Sequence, residues 1–133
     1  MHIQPYLFFD GHAEAALAFY QEALGAELEM LMRFKESPEP ANNPPGSDEL
    51  VMHMAFRVGQ STIMASDGMC AGTAHFQGFT LALHYATVAE AEQAFANLTV
   101  GGTIQMPLEK TFFSEIFGIV QDRFGVSWMV LVE

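Results

Sequence analysis

Residues 7–26, Leu-Phe-Phe-Asp-Gly-His-Ala-Glu-Ala-Ala-Leu-Ala-Phe-Tyr-Gln-Glu-Ala-Leu-Gly-Ala, lie without a gap against residues 83–102, Leu-His-Tyr-Ala-Thr-Val-Ala-Glu-Ala-Glu-Gln-Ala-Phe-Ala-Asn-Leu-Thr-Val-Gly-Gly, when the chain is slid along itself by 76 positions. Seven of the twenty pairs are identical: Leu7/Leu83, Ala13/Ala89, Glu14/Glu90, Ala15/Ala91, Ala18/Ala94, Phe19/Phe95 and Gly25/Gly101. Alanines match readily in any two helices. The weight therefore falls on the Phe and Gly pairs and on a shared change of period, from a strand-like apolar run to a helical stripe that stops at glycine. In the first copy the stripe is Ala13, Ala16, Leu17, Tyr20 and Leu24, with Gly25 where a left-handed cap belongs. In the second it is Val88, Ala91, Phe95 and Leu98, closing at Gly101-Gly102. Thr87 and Glu90 add a capping box, in which hydroxyl and carboxylate each satisfy a backbone N–H of the first turn.

Outside the matched stretch the pattern is strand-like. Residues 3–9 read as a strand with Pro5 near its start, 26–34 as a second, and 51–58 and 61–66 as a hairpin hinged at Gly59-Gln60. The cycle restarts at 79–85 and continues with strands near 103–107, 115–121 and 126–132, the last entered through a turn at 122–125. Thr62-Ile63-Met64-Ala65 echoes Ser127-Trp128-Met129-Val130 in the final strand of each half. The expected architecture is α+β: two tandem βαβββ modules, about 1–68 and 76–133, in one domain, forming a curved, cupped mixed sheet with helices outside. Residues 35–49 hold four of the six prolines and read as a solvated connection or a lid, and 69–73 as a link. Alternation turns Ile3, Leu7 and Phe9, and Leu81, Leu83 and Tyr85, toward the helices. It turns Gln4, Tyr6, Phe8, Thr80, Ala82 and His84 toward a cleft, with Met64 and Met129 beside them.

A chain of 133 residues, half of them hydrophobic, can build a core without staples. Lone Cys70 excludes an intrachain disulfide, and neither a signal-type start nor a membrane-length apolar run is present, so a cytoplasmic protein is expected. A formal charge of −11 repels phosphate backbones and anionic bilayers, which argues against nucleic acid and membrane partners. The same surplus keeps an apolar chain soluble and favours a cationic ligand.

Tandem modules of this length, with Phe19-Tyr20 followed by Leu24-Gly25, resemble the vicinal oxygen chelate superfamily of glyoxalase I, extradiol dioxygenases and bleomycin-resistance proteins. Ile63-Met-Ala-Ser-Asp67, Gly78-Phe-Thr-Leu-Ala-Leu83 and Asp122-Arg-Phe-Gly-Val-Ser-Trp-Met129 look like its PhnB-like branch, often described as demethylubiquinone-methyltransferase-like. The resemblance implies a glyoxalase-like fold, a homodimer, and metal-ligand positions that fall on Gln4, Met64, Thr80 and Met129. Glutamine is a tolerable ligand there. Neutral thioethers are poor partners for hard divalent ions, and two of them remove the charge that offsets the ion's desolvation. No metal and no cofactor are therefore expected, and no glycine-rich loop for a nucleotide-type cofactor follows a strand. His2, His53, His75 and His84 show no His-x-x-x-His or His-Glu-x-x-His spacing, and Cys70 has no base beside it in sequence. Arg57 and Glu115, on otherwise apolar strands, suit either a polar ligand group or an edge salt bridge.

The expected function is binding of a small molecule in a metal-free apolar cleft lined by Gln4, Tyr6, Phe8, Met64, Thr80, His84 and Met129. Competing with it are a cleft filled as ordinary core, and a divalent-metal-dependent lyase, isomerase or dioxygenase with displaced ligands. No catalytic residue is assigned.

Overall fold

The computed structural model describes residues 1–68 and 73–132. The chain divides into two compact units, Met1–Ala74 and His75–Glu133. Cys70 and most of the 69–73 link lie outside the described residues.

The first unit runs β1 (Tyr6–Phe8), α1 (Ala13–Leu24), β2 (Glu27–Arg33), β3 (Val51–Val58) and β4 (Ser61–Ser66). The second runs β5 (Leu81–His84), α2 (Val88–Thr99), β6 (Thr103–Glu109), β7 (Ile116–Gln121) and β8 (Ser127–Val132). The sheet orders are β1-β4-β3-β2 and β5-β8-β7-β6, with β1/β4 and β5/β8 parallel and every other pair antiparallel. The described residues thus form an α+β structure of two helices and two open, four-stranded mixed sheets of identical topology. The duplication reaches the irregularities. β2 bulges between Leu28 and Met30 and β6 between Ile104 and Met106, the same 76-residue offset.

In each unit one sheet face meets the helix. Met54, Phe56, Ile63 and Ala65 are buried on the first, where the Phe56 ring stacks 5.8 Å from Tyr20 of α1 and Phe9 lies 6.4 Å from the same ring. In the second, Val120, Trp128 and Val130 are buried on the face that α2 packs against, presenting Ala91, Ala94, Phe95 and Leu98. Each large apolar side chain buried in this way contributes about 1.5–3 kcal/mol.

Two expectations are corrected. Ile3 does not pack under α1 but is 94% exposed, because the ladder begins at Tyr6, after Pro5, which has no N–H to give. Ala23 rather than Leu24 completes the buried stripe of α1. Residues 35–49 are mostly exposed, as expected of a solvated connection, and carry internal hydrogen bonds. Two 3₁₀ turns, Phe34–Glu36 and Pro40–Asn42, are tied by Asn43 Nδ2 to the Phe34 carbonyl (2.7 Å), by Lys35 N–H to the Asp48 carbonyl (3.1 Å) and by buried Ser47 to the Pro44 carbonyl (2.5 Å). The prolines shape this loop by fixing φ.

The helices are capped differently. Thr87 Oγ1 accepts the Glu90 N–H (3.2 Å) and donates to the Glu90 carboxylate (2.9 Å), so the expected capping box is half formed, the carboxylate meeting a hydroxyl instead of a backbone N–H. His12, at the corresponding place before α1, makes no cap hydrogen bond. Its role passes to Asp67, at the end of β4: Oδ1 accepts the Gly11 and Ala13 N–H groups (2.7 and 2.9 Å), and Oδ2 accepts Val51 N–H (2.9 Å). A second buried carboxylate, Asp122, accepts Phe124 and Val126 N–H on Oδ1 (2.8 and 3.1 Å) and the Trp128 indole N–H on Oδ2 (2.8 Å). Replacing Asp67 by Ala strands three backbone donors, and urea unfolding is expected to show a loss of about 3 kcal/mol or more. Glu14→Ala, which breaks an exposed pair with Arg33, should cost less than about 1 kcal/mol. Equal losses from the two variants would refute the structural role given to Asp67.

Candidate functional site

The face of each sheet opposite its helix carries the residues of interest. Across the first, the partners Tyr6, Met64, Ala55 and Met30 form one row through β1, β4, β3 and β2. Beside that row lie Phe8, and His53 opposite Met32. The Tyr6 and Phe8 rings stack at 5.0 Å with planes 28° apart, and Tyr6 Oη stands 2.7 Å from His53 Nδ1. Tyr6, Phe8 and Met64 are thus together, while Gln4, half-buried, precedes β1. His53 has a part the sequence reading missed. The signal was available, because alternation in 51–58 sets His53, Ala55 and Arg57 against buried Met54 and Phe56.

Across the second sheet the corresponding row is Ala82, Met129, Ile119 and Met106, flanked by His84, Leu131 and Phe117. Thr80 sits just ahead of β5. Ser127 Oγ lies 3.1 Å from both Thr80 Oγ1 and Gln105 Oε1. The first sheet repeats part of this arrangement, Thr62 donating to Glu29 at 3.1 Å. Glu29 and Gln105 are the extra residues of the two bulges, which aim them back across the sheet.

The charged side chains of the first unit are largely committed. Arg57 of β3 pairs with Glu27 of the edge strand β2 at 2.6 Å. Arg33 grips Glu14 with both terminal nitrogens (3.0 and 2.7 Å), and its hydrogen bond holds the Glu14 carboxyl below the usual range. Glu115 is exposed, its N–H bonded to the Val132 carbonyl. Burial pushes the Tyr6 hydroxyl above its ordinary value, partly opposed by the Ser66 hydroxyl, so Tyr6 keeps its proton at neutral pH. Burial, with Glu90 adding to it, raises Tyr85 as well.

A divalent ion is not well served by the superfamily positions. Gln4, Met64, Thr80 and Met129 offer an amide, two thioethers and a hydroxyl, none of them charged. Among the described residues no group of three or more His, Cys, Asp or Glu converges as a metal site, and His75 bonds Gln77 at 2.8 Å. The donor set does not fit the group.

Comparison with known proteins agrees with this architecture. Residues 1–131 match the family described as 3-demethylubiquinone-9 3-methyltransferase. Protein YjdN of Escherichia coli (strain K12) is 41% identical over 140 residues, spanning 99% of this chain and 95% of YjdN. A solved structure described as a putative 3-demethylubiquinone-9 3-methyltransferase, PhnB protein, from Bacillus cereus superposes with a TM-score of 0.82 at 28% identity, covering all of both chains. A glyoxalase-related enzyme from Fulvimarina pelagi shares the fold alone, with a TM-score of 0.64 at 17% identity over 100% of this chain and 88% of its own.

The raised Tyr6 hydroxyl has a measurable consequence. A group whose folded pKa lies above its unfolded value contributes stability that is complete below the unfolded value, here 10.0, and is lost as pH rises through the folded one. Absorbance titration should show Tyr6 and Tyr85 ionising late. Tyr6→Phe should remove one late transition and flatten the decline of stability above pH 10. A transition lost at or below the ordinary tyrosine value would contradict the burial argument.

Proposed function

We propose, for a chain that belongs to the family described as 3-demethylubiquinone-9 3-methyltransferase, that it binds a small, partly apolar molecule on its open sheet faces without a metal ion. Its PhnB-like and glyoxalase-like relatives supply the fold, and the residues on the faces supply the reading. The observation that carries it is the pair of central methionines. Met64 and Met129 occupy the same place in the two sheets, each between an outer parallel strand and an antiparallel neighbour, and each half-buried. Unbranched, polarizable thioethers conform to apolar and aromatic partners, so these positions suit dispersion contact where charged ligands would suit an ion.

The methyl transfer named in the family description draws no support from the strand-to-helix connections. Residues 9–12 contain one glycine and residues 85–87 none, so neither forms a glycine-rich loop for a nucleotide-type cofactor. The net charge of −11 favours neutral or cationic ligands over anions. The proposed assembly is a homodimer, supported by large apolar side chains exposed on β2 and β6, Leu28, Met30, Ile104 and Met106.

With methionine methyl groups labelled with ¹³C, millimolar fluorobenzene should shift the Met64 and Met129 resonances more than that of exposed Met1. Shifts confined to Met1, or none at all, would overturn the binding reading. Protein purified without chelator should carry well under one equivalent of transition metal. A stoichiometric metal that survives gel filtration and is lost in His84→Ala would overturn its metal-free part.

A further inference from the structure

Tyr6 and His53 are the most polar feature in the middle of the first open face. A bond of 2.7 Å joins Tyr6 Oη to His53 Nδ1 across two strands, and the rings lie 5.5 Å apart. The fold does not need it. Where the second unit repeats the sheet, Met129 pairs with Ala82 and Ile119 as Met64 pairs with Tyr6 and Ala55, so Ala82 stands in the place of Tyr6 and Phe117 in that of His53. The same frame is therefore built once with a hydroxyl–imidazole pair and once with a methyl and a phenyl group. Tyr6 is also 38% exposed and His53 is not fully buried, so the pair is not a sealed core network.

The pair offers one donor and one acceptor whichever way the shared proton lies. With an imidazole that carries one proton, a bond given by Tyr6 leaves the Nε2 N–H as donor and the Tyr6 Oη lone pair as acceptor, and a bond given by Nδ1 leaves the Tyr6 O–H as donor and Nε2 as acceptor. One acceptor and one donor are thus presented beside a flat platform, the Tyr6 and Phe8 rings stacked at 5.0 Å. A hydroxyl on a planar ring meets both, donating to the one and accepting from the other while its ring lies over the platform. Charge selects against the anionic form. Arg57 is paired with Glu27 and Arg33 with Glu14, and Glu29 adds a further carboxylate at the margin of this face.

We infer that Tyr6 and His53 anchor an uncharged phenolic ring on the first sheet. The inference rests on the open-face binding proposed above and names the class of molecule that this face takes.

The test uses four probes followed by ¹⁹F NMR: 4-fluorophenol, 4-fluoroanisole, which cannot donate, 4-fluorobenzoate, which is anionic, and fluorobenzene. Wild-type protein is expected to bind the phenol about tenfold more tightly than the anisole, the worth of one hydrogen bond, and the benzoate more weakly than the phenol. In the double variant Tyr6→Phe/His53→Phe the phenol should fall to the level of the anisole. A cooperative urea transition in the double variant reports that the fold is intact. His53→Phe copies the residue that the second sheet already holds at this place, and the double change also removes Nδ1 as a substitute acceptor. Equal affinity for phenol and anisole in the wild type overturns the anchor, whatever the variant does, while leaving apolar binding in place. So does a phenol preference that survives in the double variant, or a benzoate that binds tightest. Failure of every probe overturns the anchor and the open-face reading together.

Discussion

The first unit depends on one buried carboxylate. Asp67, 8% exposed, receives two N–H groups from the start of α1 and one from the start of β3, while its own N–H bonds the Val51 carbonyl. A helix whose preceding residue is His12 leaves its first amides without a local acceptor, and the negative charge that meets them sits where the helix dipole favours it. Fixing the end of α1 to the ends of β3 and β4 aligns Tyr20 with Phe56 and commits that sheet face to the core. The other face is then left for Tyr6, Met64 and His53. The second unit achieves the same division with different parts. Thr87 caps α2 locally, and the Asp122 carboxylate instead fixes the β7–β8 turn and the Trp128 indole.

These two carboxylates explain why the stretches with the strongest family resemblance say little about chemistry. Ile63–Asp67 ends in the residue that caps α1, and Asp122–Met129 holds both the turn acceptor and the tryptophan that it orients. Their information concerns how helix, turn and sheet are joined. The open faces diverge within the same frame: Tyr6 against Ala82, Phe8 against His84, and His53 against Phe117. What stays constant between the two faces is the central methionine and the bulge, whose extra residue reaches a hydroxyl in both, Glu29 to Thr62 and Gln105 to Ser127. The helix sides differ as well, Tyr20 against Ala96 and Ile63 against Trp128, so the duplication preserves the backbone frame more closely than the side chains of either face.

Much of this was legible in the sequence because it is periodic. The bounds of β3 and β4, the turn at Gly59, the left-handed Gly25 and the Thr87 cap all follow from local pattern, and the structure places each as the pattern predicts. What was not legible is tertiary. Nothing near residue 12 announces that Asp67, fifty-four residues beyond Ala13, supplies the missing cap. The order in residues 35–49 rests on hydrogen bonds from Asn43 and Ser47 to carbonyls, which composition does not register. His53 was counted as one of several scattered histidines. Its meaning appears only once β1 and β3 are known to flank β4, which brings a tyrosine hydroxyl 47 residues away onto its ring nitrogen.

The distribution of charge bears on the kind of recognition available. With five Lys plus Arg against sixteen acids, most carboxylates have no cation to pair with. Arg33, Lys35 and Arg57 are drawn into surface pairs with Glu14, Glu49 and Glu27. Such exposed pairs add little stability. Their larger effect is to leave the middle of the first face to groups that do not titrate as cations and anions together: a phenol held protonated by burial, aromatic rings and thioethers. An anion brought there would give up its hydration against the field of a chain of net charge −11, a cost that dispersion does not recover. A neutral ring with one hydroxyl gives up far less and gains contact over its whole area. On the binding proposed above, Met64 and Met129 supply apolar contact at the same place in each sheet, within a backbone frame that both sheets share.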